Sequence, residues 1–253
     1  MMPVETKSSD TATLELIARQ RAIYEGSEID SRMEHLIRDT PHPTLSSWDI
    51  QRLLRASRAV YFDSHVEVVS GHHTEVYLRF ESIAQFPDLI TTIATNMAEW
   101  VLQTFEQHPP AGIITTSSDA RLLAERTCEL LGAHFPLRTV LTPFNRETGK
   151  IGTEIVSGTV EPGERFLSLN DVTTRGMCVN KLGKVVTDRG GQLVGMMVFA
   201  RRDSGQFPFM EELTATYPFY FGVDLDMPQW EPADCHACRD HKPLVSWKDL
   251  PAL

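Results

Sequence analysis

The segment "RFLSLNDVTTRGMCVNK", residues 165–181, constrains this chain most, because an apolar strand runs directly into an acid, two threonines and a glycine. Phe166, Leu167 and Leu169 read as buried strand, and Asn170 and Asp171 fall at its end. Val172 to Gly176 form a short hydroxyl-rich turn, after which Cys178, Leu182, Val185 and Val186 recur at helical spacing. A loop of small residues between a strand end and a helix N-terminus suits an anion. Exposed amides and the helix dipole attract it, and Thr173 and Thr174 can donate to its oxygens. Asp171 stands where it would hold a hydroxyl or a metal-bound water nearby. The same pattern also fits an ordinary strand-to-helix turn capped by a threonine, and the residues alone leave both readings open.

A second unit of this kind occurs earlier, in "AGIITTSSDARLLAERTCELLG". Residues 112–116 read as strand, Thr116 to Asp119 as loop, and Ala120, Leu123, Ala124, Thr127 and Leu131 as a buried helical stripe. Between and around the two units, "IATNMAEWVLQTFEQ" has one apolar helical face and "GQLVGMMVFARR" reads as a strand buried on both faces. The alternation predicts an α/β fold, a Rossmann-like parallel sheet with helices on both faces. Ligands of such sheets collect beyond the carboxyl ends of the strands, so Ser117, Ser118 and Asp119 are expected to face the loop after Leu169. Arg121 and Arg175 read either as inward donors or as solvated helix residues. Arg175 is preferred for the inward role because it lies inside the loop itself.

Three parts are expected: a helical N-terminal extension over 1–58, the α/β core over 59–225, and an irregular tail over 226–253. The first ten or so residues are polar and expected to be loose, and Ser46 or Ser47 is a candidate helix cap. A formal net charge of -10 argues against nucleic acid as the main partner. No stretch approaches a membrane span and the N-terminus has no secretory pattern, so a cytoplasmic protein is expected. Cys128 and Cys178 fall on apolar helix sides and read as small core residues. Cys235 and Cys238 form "CHACRDH" with His236 and His241 nearby. This is either a zinc site completed by a folded-back histidine or by another part of the chain, or a surface tail with two free thiols.

The strand, acid, threonines and glycine of 166–177 resemble the ribose-phosphate loop of the type I phosphoribosyltransferases. Asp171, Val172, Thr174 and Gly176 match its pattern, while Asn170 replaces the first of two acids and Arg175 a small hydroxyl residue. Residues 59–225 follow the element order of the orotate phosphoribosyltransferases, with Ser70, Gly71, His72 and Arg79 in corresponding places. For His72 and His73, a ligand role and solvent-facing turn positions stay open. The resemblance implies transfer of a 5-phosphoribosyl group from phosphoribosyl pyrophosphate to a small nitrogenous acceptor, with magnesium and in a homodimer. It implies that Asp171, with Asn170 beside it, meets the ribose, that Asp171 meets the metal, and that Thr173, Thr174, Arg175, Gly176 and Met177 hold the 5'-phosphate. It places Ser117, Ser118 and Asp119 at the pyrophosphate, and it makes Arg146 and Lys150 the basic residues of a mobile covering loop. After that polar stretch, the residues themselves read as a hairpin before residue 166. Tyr217, Phe219, Tyr220 and Phe221 are either a base-stacking surface or core. Asn170 also fits an alternative, a non-catalytic nucleotide sensor or scaffold that retains the pocket.

Overall fold

The computed structural model describes residues 9–40, 45–202 and 206–253; the polar start of the chain, up to residue 8, lies outside them. The chain begins with α1 (Ser9–Glu25), α2 (Ile29–Leu36) and α3 (Ser47–Ser57), the last capped by Ser46, whose Oγ accepts from the Asp49 amide at 3.1 Å. Four two-residue strands follow: β1 (Val60–Tyr61), β2 (Val66–Glu67), β3 (His73–Thr74) and β4 (Tyr77–Leu78). Then come α4 (Phe80–Ala84), α5 (Pro87–Phe105), β5 (Gly112–Thr116), α6 (Ala120–Leu131) and β6 (Arg138–Thr142). A small hairpin, β7 (Phe144–Asn145) and β8 (Lys150–Ile151), precedes β9 (Arg165–Thr173), α7 (Met177–Thr187), β10 (Gln192–Arg202), α8 (Pro208–Thr216) and β11 (Phe219–Leu225). The C-terminal segment carries α9 (His236–Arg239) and β12 (Val245–Ser246).

The five long strands form one parallel sheet in the order β6-β5-β9-β10-β11. Alternate residues of each strand serve opposite faces. Leu167, Leu169, Met197 and Phe199 join α5 and α6 in the main core, whereas Phe166, Met196 and Val198 pack under α7 and α8. In order of sequence the arrangement is 2-1-3-4-5, so the chain winds outward in opposite directions from β5 and β9. The crevice beyond the carboxyl ends of these two neighbours is where an open parallel sheet leaves room for a ligand.

The N-terminal helices share the main core through Tyr24, Met33, Ile50 and Leu54. On α1, Gln20 hydrogen-bonds both peptide groups of Phe62, at 2.6 and 2.8 Å, and Tyr24 hydroxyl does the same for Val60, at 2.9 and 3.0 Å. One helix thus satisfies backbone that a longer strand partner would otherwise pair. The stretch expected as an irregular tail contributes β12 to a three-stranded sheet, β12-β2-β3. The hairpin expected just before residue 166 lies one segment earlier, within the polar stretch 144–151. There the Asn145 side chain accepts from the amides of Glu147 and Thr148 and closes the tip.

Candidate active site and candidate metal centre

A cleft of about 640 Å³ opens at the carboxyl ends of β5 and β9. Its floor is the end of β9 and the start of the loop after it, from Asn170 to Arg175, with Ser118 and Asp119 of the β5–α6 loop beside it. Val68 to Ser70, Tyr77 to Glu81, the hairpin residues Arg146, Glu147 and Gly149, and Gln229 with Trp247 to Asp249 complete the walls. Five arginines and lysines and five carboxylates line it, so the cleft is balanced in charge within a chain of net charge -10.

The floor is fixed by its own side chains. Thr173 Oγ1 accepts from the Gly176 amide at 3.1 Å, and Gly176 turns the chain into α7 with φ +74. A Cβ on Gly176 would stand 2.5 Å from Leu213 Cδ1, so the leucine tip would have to shift, and the positive φ itself favours glycine. Thr174 Oγ1 accepts from Arg202 Nε at 3.0 Å and lies 3.5 Å from Gln229 Nε2. Among the described residues no side chain caps the first turn of α7, which leaves that helix end available to an anion.

Two carboxylates sit in the cleft. Burial pushes Asp171 up to about 6, against the hydrogen bond its Oδ1 accepts from the Val172 amide at 2.8 Å; the nearby Asp119 adds to the rise. Burial also raises Asp119, and Glu81 reinforces the effect while Arg146, 3.9 Å away, opposes it. Asn170 is 7% exposed and its Nδ2 donates to the Val172 carbonyl at 3.0 Å. A carboxylate at that position has no proton to donate, so the amide braces the loop in a way an acid cannot.

Of the residues expected at the site, Ser118, Asp119, Arg146, Asn170, Asp171, Thr173, Thr174, Arg175 and Met177 line the cleft. Ser117, Lys150 and Gly176 do not. Ser117 Oγ accepts from the Phe144 amide at 3.1 Å, and Gly176 lies beneath the loop. Lys150 is exposed because it alternates along β8 with Ile151, and Ile151 takes the inward place. Arg121 pairs with Glu125 on the surface of α6. Arg175 stacks over Phe207 at 4.9 Å and lies 2.6 Å from His72 Nε2, with its own Nε buried and without a hydrogen-bond partner among the described residues. That same His72 nitrogen lies 2.8 Å from Glu231, and it can accept from Arg175 or donate to Glu231 but not both.

Sequence reasoning passed over Tyr77, Glu81, Arg202, Gln229, Trp247 and Lys248, which also line the cleft. None belongs to a motif, and only the tertiary path of the C-terminal segment brings the last three there. The aromatic run of β11 goes to the core instead: Tyr220 is buried with its hydroxyl donating to Asn96 at 3.0 Å, and Phe221 packs under α8. Arg79 donates to the Trp247 carbonyl at 3.1 Å and to Glu81, while its Nε is buried without a partner among the described residues.

Behind the wall formed by β2, β3 and the C-terminal segment lies a second constellation. His65, His73, Cys235 and Cys238 bring one ligand atom each to within 4.8 Å of all the others, a set able to hold a metal ion. His65 Nε2 lies 3.0 Å from His73 Nδ1 and 3.5 Å from each sulfur, and Cys238 Sγ lies 3.2 Å from His73 Nδ1. The histidines that complete the CxxC pair come from far away in sequence. His236 stacks on Trp230 and His241 is exposed on a left-handed turn, so neither takes part.

This architecture is that of solved phosphoribosyltransferases. The structure of orotate phosphoribosyltransferase from Mycobacterium tuberculosis with inorganic phosphate aligns with TM-score 0.52 over 70% of this chain and 95% of its own, at 17% identity. Adenine phosphoribosyltransferase from Trypanosoma brucei aligns with TM-score 0.53 over 75% and 87%, at 14% identity. In sequence, the chain is 29% identical over 197 residues to orotate phosphoribosyltransferase of Thermus thermophilus, covering 78% of this chain and 98% of that one. It is 24% identical over 201 residues to the enzyme of the same name from Heliobacterium modesticaldum, covering 79% and 97%. No protein-family model matches the chain. By these relatives the chain is homologous, at family level, to the type I phosphoribosyltransferases, which supports an enzymatic role in nucleotide metabolism. Among the described residues no helix is long and apolar enough to cross a membrane.

Proposed function

We propose that the protein transfers a 5-phosphoribosyl group from phosphoribosyl pyrophosphate to a nitrogen nucleophile such as a nucleobase and releases pyrophosphate. The observation that carries this reading is the convergence of Asp171 and the threonine loop with Ser118 and Asp119 in one cleft, at the crevice between β5 and β9. In the reaction a carbon–nitrogen bond forms at the anomeric carbon as the carbon–oxygen bond to pyrophosphate breaks. The electron pair leaves with pyrophosphate and the nucleophile gives up a proton.

The β9–α7 loop holds the 5'-phosphate through the Thr173 and Thr174 region and the uncapped start of α7. Ser118 and Asp119 flank the pyrophosphate, and Arg146 at the hairpin tip and Arg79 supply positive charge. Asp171, ionised, hydrogen-bonds ribose hydroxyls and offsets the positive character that develops on the ribose. Two half-buried carboxylates beside a phosphate site fit magnesium, which takes one or two carboxylates together with substrate phosphates. Asp171 and Asp119 would hold it, and when bound it supplies charge neutralisation to the leaving pyrophosphate. The same reading includes zinc on the His65, His73, Cys235 and Cys238 cluster, and a cytoplasmic homodimer as the working species.

Asn170 favours one second reading, a binding protein without turnover. Its amide is committed to the Val172 carbonyl, and it brings no second negative charge to the ribose. Incubation with phosphoribosyl pyrophosphate, magnesium and a panel of nucleobases separates the two. Base-dependent release of pyrophosphate is the result expected of the transferase, and tight binding with no release for any base would establish the sensor.

A further inference from the structure

We infer that the His65, His73, Cys235 and Cys238 cluster is a closed structural zinc site that joins the C-terminal segment to β2 and β3, and that the ion thereby assembles the outer wall of the cleft. Zinc–sulfur bonds of about 2.3 Å and zinc–nitrogen bonds of about 2.0–2.1 Å in a tetrahedron separate sulfur from nitrogen by about 3.5 Å and nitrogen from nitrogen by about 3.3 Å. The distances here, 3.5, 3.5 and 3.2 Å between sulfur and nitrogen and 3.0 Å between the two nitrogens, lie close to those edges. Two imidazoles and two thiols in a tetrahedron select zinc over the hard divalent ions. All four positions are filled by protein, with His65 4% exposed, His73 5% and Cys235 fully buried, so no position opens to a reacting water.

The surroundings orient the ligands. His65 Nδ1 lies 2.9 Å from the Lys242 carbonyl and donates to it, which leaves the lone pair of Nε2 directed at the centre. Without an ion that nitrogen meets two sulfurs and a second imidazole in a buried space.

The two halves of the site belong to the two halves of the wall. His65 immediately precedes β2, and Val68 to Ser70 beyond that strand line the cleft; His73 belongs to β3, four residues before Tyr77. The cysteines lie between Gln229 and Trp247, both of which line the cleft from the C-terminal segment. His73 and Trp230 exchange backbone hydrogen bonds at 2.8 and 2.9 Å, and the Val245 amide donates to the His65 carbonyl at 2.9 Å. Beyond these backbone contacts, the wall rests on two-residue strands, a small apolar cluster around Tyr61, Val66 and Val245, and polar side-chain contacts such as Thr74 Oγ1 donating to the Pro228 carbonyl at 2.9 Å and Lys242 pairing with Glu75 at 2.8 Å. An isolated sheet of that size is marginal in water, and a metal joining residues about 170 positions apart contributes what the core does not.

The test uses the full chain. Native mass spectrometry should show one zinc per chain in the wild type and in His241→Asn, whose left-handed position tolerates asparagine, and none in Cys238→Ser or His73→Asn. Cobalt in place of zinc should give a thiolate charge-transfer band and tetrahedral d–d bands, which tests the site even where a variant fails to fold. After zinc is stripped and magnesium restored, hydrogen exchange should speed up in residues 226–253 and 65–74 but not in β9 or β10. Affinity for phosphoribosyl pyrophosphate should fall at least about tenfold. The affinity readout rests on the proposed transferase cleft; the metal and exchange readouts do not. Loss of exchange protection without any measurable affinity in either state would sustain the joint and overturn the transferase. Zinc bound equally by Cys238→Ser, or exchange unchanged on stripping, would overturn the joint.

Discussion

The parallel sheet and the outer wall of the cleft face each other across one site but are held together by different physics. The sheet consists of strands of five to eleven residues, paired along their length, mostly buried and packed against helices, so apolar burial is a large part of what holds it. The wall is made of two-residue strands, a four-residue helix and polar contacts such as that of Arg79 with the Trp247 carbonyl. The difference divides the cleft: the sheet fixes the loop that follows β9, while the wall has little core of its own and is the kind of region whose order a bound ligand or ion would change.

The largest effect that would test this contrast is a cavity under the loop. Leu169→Ala, at a fully buried position in β9, should cost about 2–5 kcal/mol in urea unfolding, and the loss should be global. A loss confined to the wall would break the contrast. Next comes Asp171→Asn. The folded protein raises this acid from 3.8 to about 6, so it holds the proton more tightly than the unfolded chain does. Ionisation therefore costs nothing below the unfolded value, costs progressively more as pH rises through 6, and keeps its full cost above. The variant should be more stable than wild type by up to about 3 kcal/mol at about pH 8 and equal to it at about pH 3.5. For the wild type, kcat/KM should climb with pH through about 6 as Asp171 ionises.

Gly176→Ala should cost about 1–3 kcal/mol, because φ +74 and Leu213 both oppose a Cβ there; a neutral result in thermal unfolding would mean the loop is not held as described. In the wall, Trp247→Ala should weaken ligand binding about tenfold by calorimetry while the global unfolding midpoint stays in place. A matching drop in the midpoint would show that the wall and sheet unfold together. The smallest effect belongs to Arg121→Ala, an exposed residue 3.6 Å from Glu125: about 0.5 kcal/mol or less, with binding unchanged.

The same contrast explains what could be read in the sequence. The helical stripe Ala120, Leu123, Ala124, Thr127 and Leu131 and the strand of residues 112–116 are present as the spacing predicts, because continuous burial writes a long periodic signal. The floor of the cleft was legible for the same reason, since its loop follows directly from such a strand. Nothing in the sequence marked β12, only two residues long, or its pairing with β2. Hence Gln229 and Trp247 could not be placed, and the CxxC pair had to be left open between a folded-back histidine, another part of the chain and a pair of free thiols. Side-chain direction was the other limit. Ser117 and Lys150 have the right chemistry, but each adjoins a residue, Ser118 and Ile151, that occupies the inward position.

The most direct test of the central claim is calorimetric titration of the wild type and Asp171→Asn with phosphoribosyl pyrophosphate in the presence of magnesium. The account predicts one site per chain in the wild type and at least about tenfold weaker binding in the variant, despite its greater stability above pH 6. Equal affinity in the two proteins, or no binding to a wild type that is folded and loaded with zinc, would contradict it.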